Sequence, residues 1–429
     1  MKKRIIVTGP VLSQSGYGEH ARFVLRSLRR KEKEFDIYIL PTSWGETGWL
    51  STPNEEREWL DSRISDTLPL LQKQNAFDVS IQVTIPNEWN RLAPINIGVT
   101  AGIETTAVSG AWLEKSNLMD KIITISEFSK KGFTDTSYTG THSQTGNTIK
   151  LSCNTPIEVV HYPVKKLDKT PKLNLKLDYD FNYLAVAQWG PRKNLHNLIK
   201  WFVEENIDQE VGLVVKTSLK NNSINDRIHV EKIIKSLIPK EENIKCKVYL
   251  LHGDMSESEM HSLYKHPKIK VMVSAAHGEG FGLPLFEAAY SGLPIIAPGW
   301  SGHCDFLYKP EKTISKKKKG QVIKKPLFAE VDFTIGPVPN EAVWEGVVEK
   351  HSSWAYPIEG SYKLRLRQVR NDYEKWLKKA KTLKKWVSSE FNSDKKHNLM
   401  AGIITEVADR LNKEEDWLEE FETNIAFNE

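Results

Sequence analysis

The chain has 429 residues, of which 39% are hydrophobic and 27% charged, and its formal net charge is +5. That is enough chain for two ordinary folded domains, and too little charge over this length to argue for a nucleic-acid partner. Met1-Lys2-Lys3-Arg4-Ile5-Ile6-Val7 lacks a signal-peptide core, and no apolar run approaches the roughly 18 residues of a membrane span. The cysteines (Cys153, Cys246 and Cys304) have neither metal-ligand nor redox spacing, so a reducing, cytoplasmic setting is expected.

Taken in order, the chain alternates strand and helix, which predicts parallel sheets covered by helices on both faces. Lys3 to Gly9 reads as the first strand. The loop Pro10 to Gly18 contains Gly16-Tyr17-Gly18, and a helix is predicted from about Glu19 to Arg30 on the stripe Ala21, Val24, Leu25 and Leu28. Asp36–Leu40, Val79–Thr84, Ile95–Val99, Lys121–Ile125 and Ile157–Val164 are further strands of a first half. Thr136 to Thr148 is polar and aperiodic and reads as a loop.

A second series of strands follows the lysine-rich stretch near residues 165 to 176. It comprises Asn182–Gln188, Gly212–Lys216, Lys247–Leu251, Lys270–Ala275 and Leu293–Ala297. Ser256-Glu257-Ser258-Glu259 is a capping-box signal. Tyr373 to Val387 is helical with Tyr373, Trp376, Leu377, Ala380, Leu383 and Val387 on one face, suited to packing on the second half. The basic run Lys316–Lys319, with Lys324 and Lys325, reads as a solvated loop, with contact to anionic lipid or glycan as the sharper alternative.

The most informative segment is Ala276-His277-Gly278-Glu279-Gly280-Phe281-Gly282-Leu283-Pro284-Leu285-Phe286-Glu287-Ala288. A buried strand leads into it, and its glycines permit positive φ and close backbone approach. Pro284 suits the first position of a helix whose core face is Leu285, Phe286, Ala288 and Ala289, and Gly292-Leu293-Pro294 ends that helix. The free amides of residues 280 to 285 lie at the positive end of the helix dipole, where an anion binds without a metal. Glu287, one turn in, is better placed to accept from a pair of hydroxyls than to touch a phosphate.

This segment resembles the E-x7-E signature of retaining GT-B glycosyltransferases, specifically the large family 4 group. The resemblance implies two Rossmann-like doubly wound domains facing a cleft. The N-terminal, acceptor-side domain would be 1–166 and the nucleotide-sugar domain 167–392. The tail 393–429 would cross back onto the first domain. It also implies that Glu279 contacts the transferred sugar and Glu287 the nucleotide ribose, with Gly280, Phe281, Gly282 and Leu283 holding the diphosphate.

Gly190-Pro191-Arg192-Lys193-Asn194-Leu195 resembles the family loop whose basic residues neutralise the leaving diphosphate, and Lys193 matches its lysine. The arginine usual five residues earlier is Gln188 here, leaving Arg192 as its substitute or one cation fewer. The resemblance assigns Gly16 and Gly18 to a donor-side loop. That loop carries neither Gly-x-Gly-x-x-Gly nor a P-loop continuation.

Two assignments stay open. Lys216, at a strand end, either reaches a phosphate or snorkels at the surface. Glu104, in Gly102-Ile103-Glu104-Thr105, either orients sugar or acceptor or is an ordinary loop glutamate. Ser126 and Glu127 suit a helix cap. Asp178-Tyr179-Asp180 lacks partner acids and reads as a surface turn rather than a metal motif.

The implied reaction moves a sugar from a nucleoside-diphosphate-sugar to a glycan, lipid-linked or other hydroxyl acceptor. It retains configuration and needs no metal or other cofactor; weak peripheral membrane contact is compatible with the charge. The alternatives are a non-catalytic GT-B relative and a sugar-nucleotide epimerase.

Overall fold

The computed structural model describes residues 2–411, apart from 74, 142–147, 166, 168–169, 241–242 and 313–321. The Lys316–Lys319 run and the tail from 412 onward lie outside the described residues.

In chain order the first half begins with β1 (Lys3–Gly9), α1 (Gly16–Arg29), β2 (Phe35–Pro41), α2 (Glu55–Thr67), β3 (Val79–Val83) and β4 (Ile95–Thr100). It continues with α3 (Gly110–Ser116), β5 (Lys121–Thr124), α4 (Glu127–Thr134), the strands β6 (Ser137–Thr141) and β7 (Thr148–Ser152), and β8 (Ile157–Val159). Its parallel sheet has the order β2-β1-β3-β4-β5-β8. Such strands are buried on both faces, so Ile5, Val7, Ile81, Val83, Ile97, Val99 and Ile122 are all fully enclosed.

The second half runs β9 (Asn182–Val186), α5 (Leu195–Asn206), β10 (Gly212–Lys216), α6 (Ile224–Leu237), β11 (Lys247–Leu251) and α7 (Glu257–Tyr264). Next come β12 (Ile269–Val273), α8 (Leu283–Ser291), β13 (Ile295–Pro298), α9 (Cys304–Leu307), β14 (Tyr308–Lys312), β15 (Val322–Pro326) and β16 (Ala329–Val331). The sheet order β11-β10-β9-β12-β13-β16 repeats the plan of the first half, again all parallel. An antiparallel pair, β17 (Phe333–Pro337) with β18 (Ser353–Pro357), precedes α10 (Glu359–Asn371), α11 (Tyr373–Glu390) and α12 (Ser393–Ala408).

Several elements differ from the sequence reading. Of the stretch expected to be a loop, Ser137–Thr141 is strand β6, paired antiparallel with β7, and residues 142–147 lie outside the described residues; β6 is largely exposed, so no alternation of apolar residues marks it. The strand expected over Ile157–Val164 stops at Val159, because the chain then leaves the sheet for the second half. Helix α1 begins at Gly16, since Ser15 caps it by accepting the Gly18 amide at 3.0 Å. The glycine pair therefore belongs to the helix start. Strands β14 to β18 had no counterpart in the reading; most are short, exposed hairpins.

Two cores result: one runs through both halves, from Ile5 and Val7 to Leu184, Phe286 and Leu383, and the other, around Tyr183, Leu213 and Val271, lies within the second half. Helix α11 packs its buried Trp376, Ala380, Leu383 and Val387 towards the second half, against α8. Helix α12 returns to the first half and packs on α1, where His397 Nδ1 lies 2.9 Å from Ser27 Oγ. The two chain crossings run side by side, with the Val164 amide donating to the Phe391 carbonyl at 2.8 Å. Among the described residues no helix is long and apolar enough to cross a membrane.

Candidate active site

The carboxyl ends of β9 and β12 and the amino end of α8 meet at one point. Lys193 sits in a short turn after β9, followed by Asn194, whose left-handed backbone (φ 51°) starts α5. Its ammonium lies 2.6 and 2.7 Å from the two carboxylate oxygens of Glu279. Arg192 donates to Glu279 at 3.2 Å and to the Gly278 carbonyl at 2.8 Å, and its other amino group reaches Glu104 at 3.2 Å. Glu104 comes from the first half. The cluster thus joins both halves and balances two carboxylates against two cations.

Burial would push the Glu279 carboxyl up, but the Lys193 and Arg192 charges beside it bring it down to about 2. Glu279 is ionised at any ordinary pH. Burial and the Arg192 charge pull Lys193 below the usual lysine value, while the opposing Glu279 carboxylate works against that shift. Arg192 is committed to its acidic neighbours and to Gly278, so it organises the loop rather than standing clear in the cleft.

The glycines of the loop have reasons the sequence reading did not separate. Only Gly282 takes a positive φ, 88°, as the cap of α8. Gly278 and Gly280 are glycines because the other half of the protein is in the way. A Cβ at Gly278 would sit 2.6 Å from the Glu104 carbonyl oxygen, and one at Gly280 would sit 2.7 Å from that of Ala101. The Gly280 carbonyl accepts from Ser126 Oγ at 2.6 Å, so Ser126 both caps α4 and ties the two halves together. The amides of Gly280, Phe281 and Gly282 have no protein acceptor among the described residues. Leu283 opens α8, and Pro284 takes its second position, not its first.

Glu287 faces a different environment from Glu279. It accepts a hydrogen bond from the buried Tyr264 hydroxyl at 3.0 Å, and burial pushes its carboxyl up to about 7 despite Lys165 nearby. Lys165 itself spans the halves, 2.8 Å from Glu19 of α1 and 2.6 Å from Glu257 of α7. The two glutamates of the motif do not share a partner. They are two separate acceptors at one helix, not a flanking acid–base pair.

The remaining candidates fall in different places. Gly18 is hemmed in, since a Cβ there would lie 2.0 Å from the Ser13 carbonyl oxygen, whereas Gly16 has open space around it. The Gly16 carbonyl accepts from the Tyr162 hydroxyl at 3.1 Å, and the Tyr162 ring packs on Phe281 at 5.2 Å between centroids. Lys216 donates to the Gly253 carbonyl at 2.7 Å, which ties together the loops after β10 and β11. Gln188 donates its amide to the Leu219 carbonyl at 3.0 Å and brings no charge to the cluster. Asp178 pairs with Lys247 and Asp180 with Lys268, at the surface. Among the described residues no group of three or more His, Cys, Asp or Glu is placed to hold a metal ion.

Tyr264, Ser301 and Lys165 were missed by the sequence reading. None lies in the motif, and only folding brings them to it. Ser301 accepts the Glu279 amide at 2.9 Å.

Two parallel-sheet domains meeting at such a cleft define the GT-B architecture. Residues 168–324 match the family model described as glycosyl transferases group 1. Solved structures share the fold at low sequence identity. Sucrose-phosphate synthase from Thermosynechococcus elongatus has a TM-score of 0.60 at 12% identity, covering 95% of this chain and 99% of its own. HepE of Anabaena, solved in complex with UDP and glucose, has 0.56 at 11%, covering 94% and 100%. A glycosyltransferase from Rickettsia africae has 0.55 at 13%, covering 96% and 99%. No curated protein matches the sequence.

Proposed function

We propose that the protein is a retaining, family 4-like glycosyltransferase that takes a nucleoside-diphosphate-sugar as donor and uses no metal. The observation that carries this reading is the largely buried Lys193–Glu279 pair directly before α8, beside backbone amides with no protein acceptor among the described residues. Breaking the bond between the sugar's anomeric carbon and the phosphate oxygen leaves negative charge on the departing diphosphate. The amides of Gly280 to Leu283, the positive end of α8 and the Lys193 ammonium are arranged to stabilise that charge. Lys193 supplies the positive charge that a metal would otherwise bring.

Glu279, ionised and held by its neighbours, accepts from hydroxyls of the transferred sugar, and Arg192 keeps it and Glu104 in register across the cleft. Glu287, with Tyr264, accepts from the ribose hydroxyls. Gly16 and Gly18, at the start of α1, give the donor side of the first domain its close backbone approach, and Lys216 supports the loop after β11. The acceptor hydroxyl attacks the anomeric carbon from the face the diphosphate leaves, and its proton passes to a departing phosphate oxygen. No residue of the protein needs to form a bond to the sugar. The complex of HepE with UDP and glucose supports a UDP-sugar among the donors to try. The acceptor in this reading is a hydroxyl of a glycan or lipid-linked glycan.

The test is release of nucleoside diphosphate from UDP-, GDP- and ADP-sugars by the wild-type protein and by Glu279→Ala. Turnover of one donor that falls by roughly 100-fold or more in the variant supports the reading. Neither binding nor turnover of any donor would overturn it.

A further inference from the structure

Ser301 has the left-handed backbone of a glycine, with φ 81°. The other described non-glycine residues with positive φ are Asn75 and Asn194, and asparagine tolerates that region where serine does not. Strain of this kind persists only where the surroundings impose it, and it gathers at functional sites.

What the strain secures is visible in the hydrogen bonds. The buried Ser301 hydroxyl accepts the amide of Glu279 at 2.9 Å, and the next amide, Gly302, donates to the Glu279 carbonyl at 2.8 Å. Glu279 is thus held on both sides of its own backbone by two consecutive residues. Gly302 is fixed as glycine by the same fit, since a Cβ would meet the Gly280 carbonyl oxygen at 1.9 Å.

The direction of the hydroxyl is fixed as well. His303 Nε2 lies 2.7 Å from the Pro298 carbonyl, which can only accept, so Nε2 carries a proton, and burial of the ring disfavours a second one on Nδ1. His303 Nδ1, 3.4 Å from Ser301 Oγ, is then an acceptor for the serine's own hydrogen, leaving the oxygen lone pair for the Glu279 amide. All three side chains are buried.

We infer that Ser301 is a positioning residue for Glu279, its strained backbone being the stability given up to bring a hydroxyl to that amide. This rests on the reading of Glu279 as the group at the transferred sugar. Glycine at 301 would relax the backbone but leave the Glu279 amide without its acceptor; alanine would keep the strain and lose the bond.

The experiment compares Ser301→Gly, Ser301→Ala and Glu279→Gln in the full chain, using the donor that the wild-type protein turns over. Ser301→Gly should melt no lower than wild type, yet lose about tenfold in kcat with donor KM within about threefold, the loss expected for one buried hydrogen bond. Ser301→Ala should lose the same in kcat and also melt lower. In both variants hydrogen exchange in a peptide spanning residues 276–283 should be about tenfold faster at the Glu279 amide. Wild-type kcat and exchange protection in Ser301→Gly would overturn the inference, as would a melting temperature below that of Ser301→Ala. Full activity in Glu279→Gln would instead refute the role of Glu279 itself, whatever the serine variants do.

Discussion

Gly280→Ala isolates the part of this site that depends on the two domains lying together. The new Cβ would stand 2.7 Å from the Ala101 carbonyl oxygen, about 0.7 Å inside ordinary contact at 3.4 Å. Backbone lies on both sides of the clash, so no side chain can swing away. Relief must come from moving the loop away from the first domain, which also stretches the 2.6 Å bond from Ser126 Oγ to the Gly280 carbonyl. Overpacking of this size costs about 1–3 kcal/mol. Because an open cleft escapes the clash, nearly all of that falls on the closed arrangement, and the closed-to-open ratio drops by roughly 5- to 150-fold. The assay is kcat/KM for the donor together with the radius of gyration from small-angle scattering. The variant should lose activity by that factor and expand slightly, with little change in melting temperature. Gly360→Ala in α10, exposed and with open space around its Cβ, is the control and should gain roughly 0.5–1 kcal/mol as helix propensity improves. Activity in Gly280→Ala within twofold of wild type would refute the argument that this contact belongs to the working state.

Two further outcomes follow from burial. Glu287 has its carboxyl raised from 4.5 to about 7, so the folded chain keeps a proton that the unfolded chain releases between those values. Stability from this group is therefore full below about pH 4.5 and is lost as pH rises through about 7. Melting curves of Glu287→Gln and wild type should diverge between pH 5 and 8 in favour of the variant, by up to about 3 kcal/mol; parallel curves would contradict the burial argument. Met400 of α12 is fully enclosed. Met400→Ala should cost about 2–5 kcal/mol in urea unfolding, and a cost below about 1 kcal/mol would mean that α12 is not seated on α1 as described.

Much of the site was legible because its residues are local in sequence. Glu279, Gly282 and Glu287 belong to one strand–turn–helix unit, and the turn and helix signals there are strong. Lys193 lies just past a strand end that periodicity alone located. The hydrogen-bond partners were not legible. Tyr264 is an ordinary apolar-stripe residue of α7 until folding sets its hydroxyl against Glu287. The two outcomes left open in the sequence also needed the fold: Glu104 reaches Arg192 across the cleft, and Lys216 binds a carbonyl. Strand β6 was taken for part of a loop because exposed strands carry no apolar alternation.

Sequence by itself determined the two parallel sheets, since buried strands must be apolar on both faces and the helices between them must be amphipathic. It also determined that a glycine turn and a helix start follow β12. Only the tertiary structure decided why Gly278 and Gly280 lack side chains, because the reason is backbone of the other domain more than 150 residues away in the chain. The same holds for the ionisation of the two glutamates. Both are acids of one motif, yet two cations bring one down and burial pushes the other up, and those neighbours are chosen by packing rather than by sequence position.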